Sequence, residues 1–160
     1  MTRKLMLICV SFAFAQSASA ADPQMRAHFI DVGQGACTLL EFPCGAILID
    51  TGGQDDEHTQ LLGNYLKTFF ERRTDLNNTL NALIISHPHI DHTRGIKAVL
   101  NACRVQTYID NGRVEGSGRF GVKYVRDHAD EHQAFIREIN DPCVPIMSET
   151  VQQFRMCAGR

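Results

Sequence analysis

The stretch Ser86-His87-Pro88-His89-Ile90-Asp91-His92 constrains this chain more than any other part of it. Four side chains that can ligate a divalent metal, His87, His89, Asp91 and His92, fall within six residues, directly after the apolar run 82–85. Neutral imidazole nitrogen and carboxylate oxygen suit zinc and similar ions. In an extended loop His87 and His89 point to one side and share one ion. Asp91 and His92 follow the turn and face a second ion nearby. Pro88 holds His87 in an extended backbone, which suits a pre-shaped ligand loop. Such a loop belongs at the carboxyl end of a strand in an α/β sheet, where ligands usually bind. A two-metal site can act on an ester or phosphodiester through a bridging hydroxide.

The remaining periodicity supports that placement. Residues 27–31, 37–42 and 46–50 read as three strands joined by the glycine-bearing turn 32–35 and by Pro43-Cys44-Gly45. Leu61, Leu62, Tyr65, Leu66, Phe69 and Phe70 form one helical stripe, with Asp55 or Asp56 as its cap. A polar loop at 75–81 precedes a strand at 82–85. A helix is expected over 93–102, a strand over 105–110, a loop over 111–121 and a second long helix over 123–140. Strands alternating with helices after residue 50 indicate a layered α/β protein.

The first twenty residues read as a secretory signal peptide. Arg3 and Lys4 precede an apolar core at 5–15, and Ala18-Ser19-Ala20 offers a cleavage site ahead of Ala21. The expected product is a single domain over 21–160, secreted or periplasmic, with no stable membrane anchor. Without Arg3 and Lys4, 14 basic side chains face 18 acidic ones, which argues against tight nonspecific binding of nucleic acid. An oxidising compartment lets cysteines pair, and Cys37, Cys44, Cys103, Cys143 and Cys157 are an odd number. Sequence does not choose among their pairings.

The histidine loop resembles the H-x-H-x-D-H signature of the metallo-β-lactamase fold superfamily, filled without mismatch by His87, His89, Asp91 and His92. Leu48-Ile49-Asp50-Thr51-Gly52-Gly53 is similar to the acidic strand end of that family. There the aspartate supports the ligand loop from behind, the role the resemblance implies for Asp50. Phe29-Ile30-Asp31-Val32-Gly33-Gln34-Gly35 resembles the opening of ComEC-like competence-protein hydrolase domains, with a departure at Ala36.

The resemblance implies the N-terminal part of an αββα sandwich and a zinc-dependent hydrolase holding one or two ions, or another divalent metal. His87 and His89 would bind the first ion, and Asp91 and His92 the second. Asp91 would also act in catalysis, helping to orient a metal-bound hydroxide toward an ester or phosphodiester. The implied substrate is a small molecule or a phosphodiester, with nucleic acid implied by the resemblance alone. The family's later ligands have no counterpart after His92, so the domain is expected to be incomplete, with its second half largely missing. Two alternatives stand beside this reading. One is a non-catalytic remnant that binds metal weakly at most. The other is a β-lactamase, which fits the ligands and the leader but not the opening motif.

Two further patterns carry less. His128-Ala129-Asp130-Glu131-His132 spells H-x-x-E-H, which on a helix would set two imidazoles one turn apart. Its bland account is a solvated helix face. Gly116-Ser117-Gly118-Arg119-Phe120-Gly121 matches G-x-G-x-x-G, but lies too far past its strand for the tight turn that cradles a pyrophosphate.

Overall fold

A computed structural model of the chain describes residues 24–128 and the strand at 135–138. The expected signal peptide, Glu131, His132, Cys143 and Cys157 lie outside those residues. In chain order the strands are Arg26–Phe29 (β1), Thr38–Phe42 (β2), Gly45–Ile49 (β3), Thr79–Leu80 (β4), Ala82–Ile84 (β5), Arg104–Val105 (β6), Thr107–Asp110 (β7) and Phe135–Glu138 (β8). The helices are Asp56–Arg72 (α1), Ile90–Thr93 (α2), Ile96–Ala102 (α3) and Arg119–Asp127 (α4), with a short 3-10 turn at Thr74–Leu76.

Six strands form one mixed sheet in the order β1-β2-β3-β5-β7-β8. The first three run antiparallel as a meander, and β3, β5, β7 and β8 run parallel. A separate parallel ladder joins β4 to β6. Each parallel crossover steps the same way across the sheet, and right-handed crossovers then place their helices on one face. Accordingly α1 packs on α3, and α3 on α4.

Register fixes what that face buries. Leu39 pairs with Leu48, Leu48 with Leu83, and Leu83 with Tyr108, one continuous buried row beneath the helices. Asp55 caps α1, its carboxylate accepting from His58 N at 3.0 Å. The helix turns Leu62, Leu66, Phe69 and Phe70 inward, whereas Leu61 stands half exposed at the edge of the expected stripe. The opposite row of Thr38, Ile49, Ile84 and Ile109 is only partly buried and carries no helix among the described residues.

Several expectations differ from the structure: strand β4 at Thr79–Leu80 falls within the loop expected over 75–81, and α4 begins at Arg119 within the loop expected over 111–121. The helix expected over 123–140 ends at Asp127, and Phe135–Glu138 is strand β8. The His128 amide is shared between the carbonyls of Tyr124 and Val125, which closes the helix. Phe135 and Ile136 then pair with Thr107 and Tyr108, so strand pairing along β7 outweighs the local helical spacing. The helix expected over 93–102 begins at Ile96 as α3, preceded by the separate short α2 at Ile90–Thr93, which carries Asp91 and His92. Between the two, Gly95 packs so closely on Thr51 that a methyl group there would lie 2.5 Å from the Thr51 carbonyl oxygen. The strand expected over 105–110 is divided between two sheets at Gln106, whose amide donates to Leu80 O.

His28 and Glu41 show how the first strands are fastened to α1. His28 bonds Glu41 at 2.9 Å and the Tyr65 hydroxyl at 2.6 Å. Arg73 donates to Glu41 at 2.7 Å and to Asp75 at 2.8 Å. Burial pushes the Glu41 carboxyl up, but the bonds from Arg73 and His28 outweigh it and hold the group below its ordinary value.

Candidate metal centre

The site is built at the carboxyl ends of β3 and β5. Asp50 follows β3 in the left-handed region, at φ 55, a conformation that aspartate tolerates better than most residues. This turns its carboxylate sideways beneath the segment leaving β5. Asp50 is 4% exposed and accepts three hydrogen bonds, each 2.8 Å: from Ser86 N, from Ser86 Oγ and from His92 Nδ1. A carboxylate only accepts, so the proton of His92 sits on Nδ1 and the lone pair on Nε2.

The four candidate ligands approach in pairs. His87 Nε2 and His89 Nδ1 are 3.1 Å apart. Ser86 Oγ lies 3.0 Å from His87 Nδ1 and so engages the nitrogen facing away from His89. His92 Nε2 lies 3.7 Å from Asp91 Oδ2, and the His87 and His92 ring centres are 4.1 Å apart. Two donors about 2.0–2.1 Å from one zinc, at a tetrahedral angle, stand about 3.3–3.4 Å apart. The first pair meets that spacing closely and the second is somewhat wider. Among the described residues no group of three or more such side chains is gathered to hold an ion. The donors therefore fit a divalent metal in chemistry, the His87–His89 pair also in spacing, and among the described residues each pair supplies two donors where a closed site uses four.

Two glycine turns hold this loop from opposite sides. Gly35 has φ +95, and a methyl group on it would lie 1.7 Å from the Asp91 carbonyl oxygen. The turn at 33–35 thus rests directly on the Asp91 backbone. From the other side Gly118 N donates to Pro88 O at 2.9 Å, Ser117 Oγ accepts from Ile90 N at 3.1 Å, and Thr93 Oγ1 bridges His89 O and Gly118 O. Thr51 closes the base, its N and Oγ1 both donating to His92 O.

The sequence did not single out Ser86, Thr93, Gly35, Ser117 or Gly118 for this work. Gly35 and Gly118 lay in motifs whose spacing was visible, but the partners they touch are 56 and 29 positions away in Asp91 and His89. Asp110, at the end of β7, was also missed. It is 3% exposed, accepts from Gly112 N and Arg126 Nη2, and ties the loop after β7 to α4. His128 bonds the Tyr124 carbonyl and stacks on the Tyr124 ring as the C-cap of α4, so the helix that would carry H-x-x-E-H ends before the first histidine of the pattern, and Glu131 and His132 lie outside the described residues. His58 sits beside the turn at Gly33, bonded to Asp55 at 2.7 Å, and that bond raises its pKa.

A mixed sheet with helices on one face and a histidine–aspartate loop at its carboxyl edge defines a metallo-β-lactamase type of fold. The family model described as the Metallo-beta-lactamase superfamily matches residues 30–147, and the chain belongs to that superfamily. Among solved structures it is similar to the metallo-beta-lactamase fold protein YhfI from Bacillus subtilis, at 16% identity and a TM-score of 0.50 over 79% of this chain and 49% of that one. A metallo-beta-lactamase with a HARLDQ motif from Cronobacter sakazakii matches at 25% identity and a TM-score of 0.38, over 52% of this chain and 29% of that one. The chain spans about half the length of the YhfI chain it matches. No curated protein matches it significantly.

Proposed function

We propose that the chain is an exported metal-dependent hydrolase acting on a phosphodiester, with His87 and His89 holding one divalent ion and Asp91 and His92 a second. The observation that carries this reading is the His87–His89 nitrogen pair at 3.1 Å beside a His92 whose Nδ1 is committed to Asp50. Bound there, zinc or a similar ion supplies Lewis acidity and brings the pKa of a coordinated water near neutrality. Asp50 sets the tautomer of His92, and Ser86 occupies Nδ1 of His87, so both imidazoles present Nε2 to the open side. In this reading Asp91 gives Oδ2 to the second ion beside His92 Nε2, and its other carboxylate oxygen orients a water there.

Superfamily membership supports metal-dependent hydrolysis. The phosphodiester substrate draws on the resemblance of residues 29–35 to ComEC-like domains. Export draws on the leader and on Cys44, which is disulfide-bonded. The pairwise count of donors favours a second reading, a non-catalytic relative that binds metal weakly.

Metal analysis of the purified protein, with hydrolysis of bis(p-nitrophenyl) phosphate and of nitrocefin, separates the readings. Two equivalents of metal and phosphodiester turnover abolished by His89→Ala are expected. One equivalent or less with no turnover supports the non-catalytic reading. Turnover of nitrocefin alone makes the protein a β-lactamase, and activity that survives His89→Ala removes the ligand assignment.

A further inference from the structure

Arg119, Lys123 and Arg126 recur at helical spacing along one face of α4. Two of the three cations are matched by carboxylates: Lys123 by Asp127 at 2.7 Å and Arg126 by Asp110 at 3.0 Å. Arg119 has no carboxylate partner among the described residues. Its guanidinium lies 4.7 Å from the centre of the Phe120 ring, and Phe120 is 70% exposed. Val114, Arg119, Phe120, Lys123, Arg126 and Asp127 line a groove of about 350 Å³, within the roughly 300–1,000 Å³ usual for small-molecule sites.

The groove adjoins the histidine cluster. Arg119 Nη1 donates to Gly116 O at 3.3 Å. A methyl group on Gly116 would lie 2.7 Å from the Pro88 carbonyl oxygen and 3.5 Å from His89 Cδ2. A single glycine therefore separates the Arg119 guanidinium from the ligand loop. A planar cation that forks onto phosphate, stacked against a solvent-facing ring that can take a base, is suited to a group that is both flat and anionic.

We propose that this groove binds a nucleotide unit, its base on Phe120 and its phosphate on Arg119, alongside the histidine cluster. The proposal rests on the phosphodiester reading and supplies that reading with a recognition element. Neither side chain is buried, so the groove exists without rearrangement of the core.

The test is titration with AMP, adenosine and ribose 5-phosphate, followed by calorimetry, on the protein as purified and again in excess EDTA so that phosphate binding to metal does not count. AMP is expected to bind in both conditions, with adenosine and ribose 5-phosphate each weaker by about tenfold or more. Phe120→Ala and Arg119→Ala should each weaken AMP by a similar factor without moving the thermal midpoint. Lys67→Ala, an exposed cation on α1, should leave AMP affinity unchanged. Equal affinity for AMP and ribose 5-phosphate overturns the proposal, as does the absence of AMP binding or an unaltered Kd in both groove variants. AMP binding in a protein that hydrolyses no phosphodiester supports the groove and removes only the hydrolase reading. Hydrolysis without AMP binding does the reverse.

Discussion

Asp50→Asn is the sharpest test of how the ligand loop is set. The substitution keeps the shape of the side chain and suits the left-handed backbone at φ 55. The amide oxygen can still accept from Ser86 N, now at 2.8 Å from Oδ1. The amide nitrogen then takes the place of Oδ2, facing Ser86 Oγ and His92 Nδ1. A donor there requires His92 Nδ1 to accept, which moves the imidazole proton to Nε2, the nitrogen that faces Asp91 Oδ2 at 3.7 Å. Recovering the Nε2 lone pair for a metal means setting two donors against each other in a nearly buried position, a cost of about 1–3 kcal/mol. At about 1.4 kcal/mol per decade that is a loss of roughly 5–150-fold in metal affinity, in line with the 10–100-fold typical of residues behind a metal ligand. Competition titration with a chromophoric chelator measures the affinity, and long-range ¹H–¹⁵N NMR of the metal-free protein reports the His92 tautomer. An Asp50→Asn protein that keeps the Nδ1–H tautomer and binds within twofold of the parent would refute the assignment of Asp50 as the residue that orients His92.

Gly35→Ala forces a side chain onto φ +95 and against the Asp91 carbonyl, a strain of about 1–3 kcal/mol. Metal stoichiometry should fall, while Gly63→Ala, whose methyl meets only Ala98 at 3.8 Å, should retain it; equal stoichiometry in both shows that the turn does not hold Asp91. Arg73→Ala leaves the buried Glu41 carboxylate with His28 alone. Because the folded Glu41 pKa lies below its ordinary value, its stabilisation is full above that value and disappears as pH falls through the folded pKa. The variant should therefore unfold at higher pH in acid titration and lose about 3 kcal/mol near neutrality in urea, and an unchanged acid midpoint discounts the pair. Burial pushes the Cys37 and Cys103 thiols up to about 12 from 9.0, for Cys37 with a further push from the Asp50 charge. Their contribution to stability is complete below about pH 9 and is lost as pH rises from there toward 12, and neither thiol should alkylate at pH 8 until the protein unfolds, as mass spectrometry with iodoacetamide would show.

The strands that carry the site were legible because each combines a short apolar run with a polar terminus of unusual composition, as at Ile49-Asp50 and Ile85-Ser86-His87. Those features are local, and so is the Asp55 cap. Strand β8 was not legible. Val125, Phe135 and Ile136 fall at a spacing a helix accepts, and only the parallel pairing with Thr107 and Tyr108 selects strand for the last two. The role of Asp50 was inferable from the resemblance, but its three donors, at Ser86 and His92, are 36 and 42 residues away and follow from the β3–β5 pairing alone.

The G-x-G-x-x-G of residues 116–121 shows how one composition serves different ends. In a nucleotide-binding turn glycines let a backbone approach a pyrophosphate. Here they let one stretch of backbone approach another: a methyl on Gly118 would lie 2.5 Å from the His89 carbonyl carbon, and one on Gly121 2.8 Å from Thr93 O. Gly35 does the same from the opposite side against Asp91. A loop that must present four polar side chains outward can form few core contacts of its own, so its rigidity has to come from backbone laid against backbone, and glycine is the residue that permits that distance. The same close approach brings Arg119 and Phe120 to the edge of the histidine cluster. The clasp at 116–118 is therefore expected to couple two properties, so that Gly118→Ala should weaken metal binding and AMP binding together, whereas Phe120→Ala should weaken AMP binding alone. Parallel titrations of both variants with zinc and with AMP decide it, and loss of metal affinity in Phe120→Ala, or retention of both affinities in Gly118→Ala, would show that the groove and the ligand loop are not joined in this way.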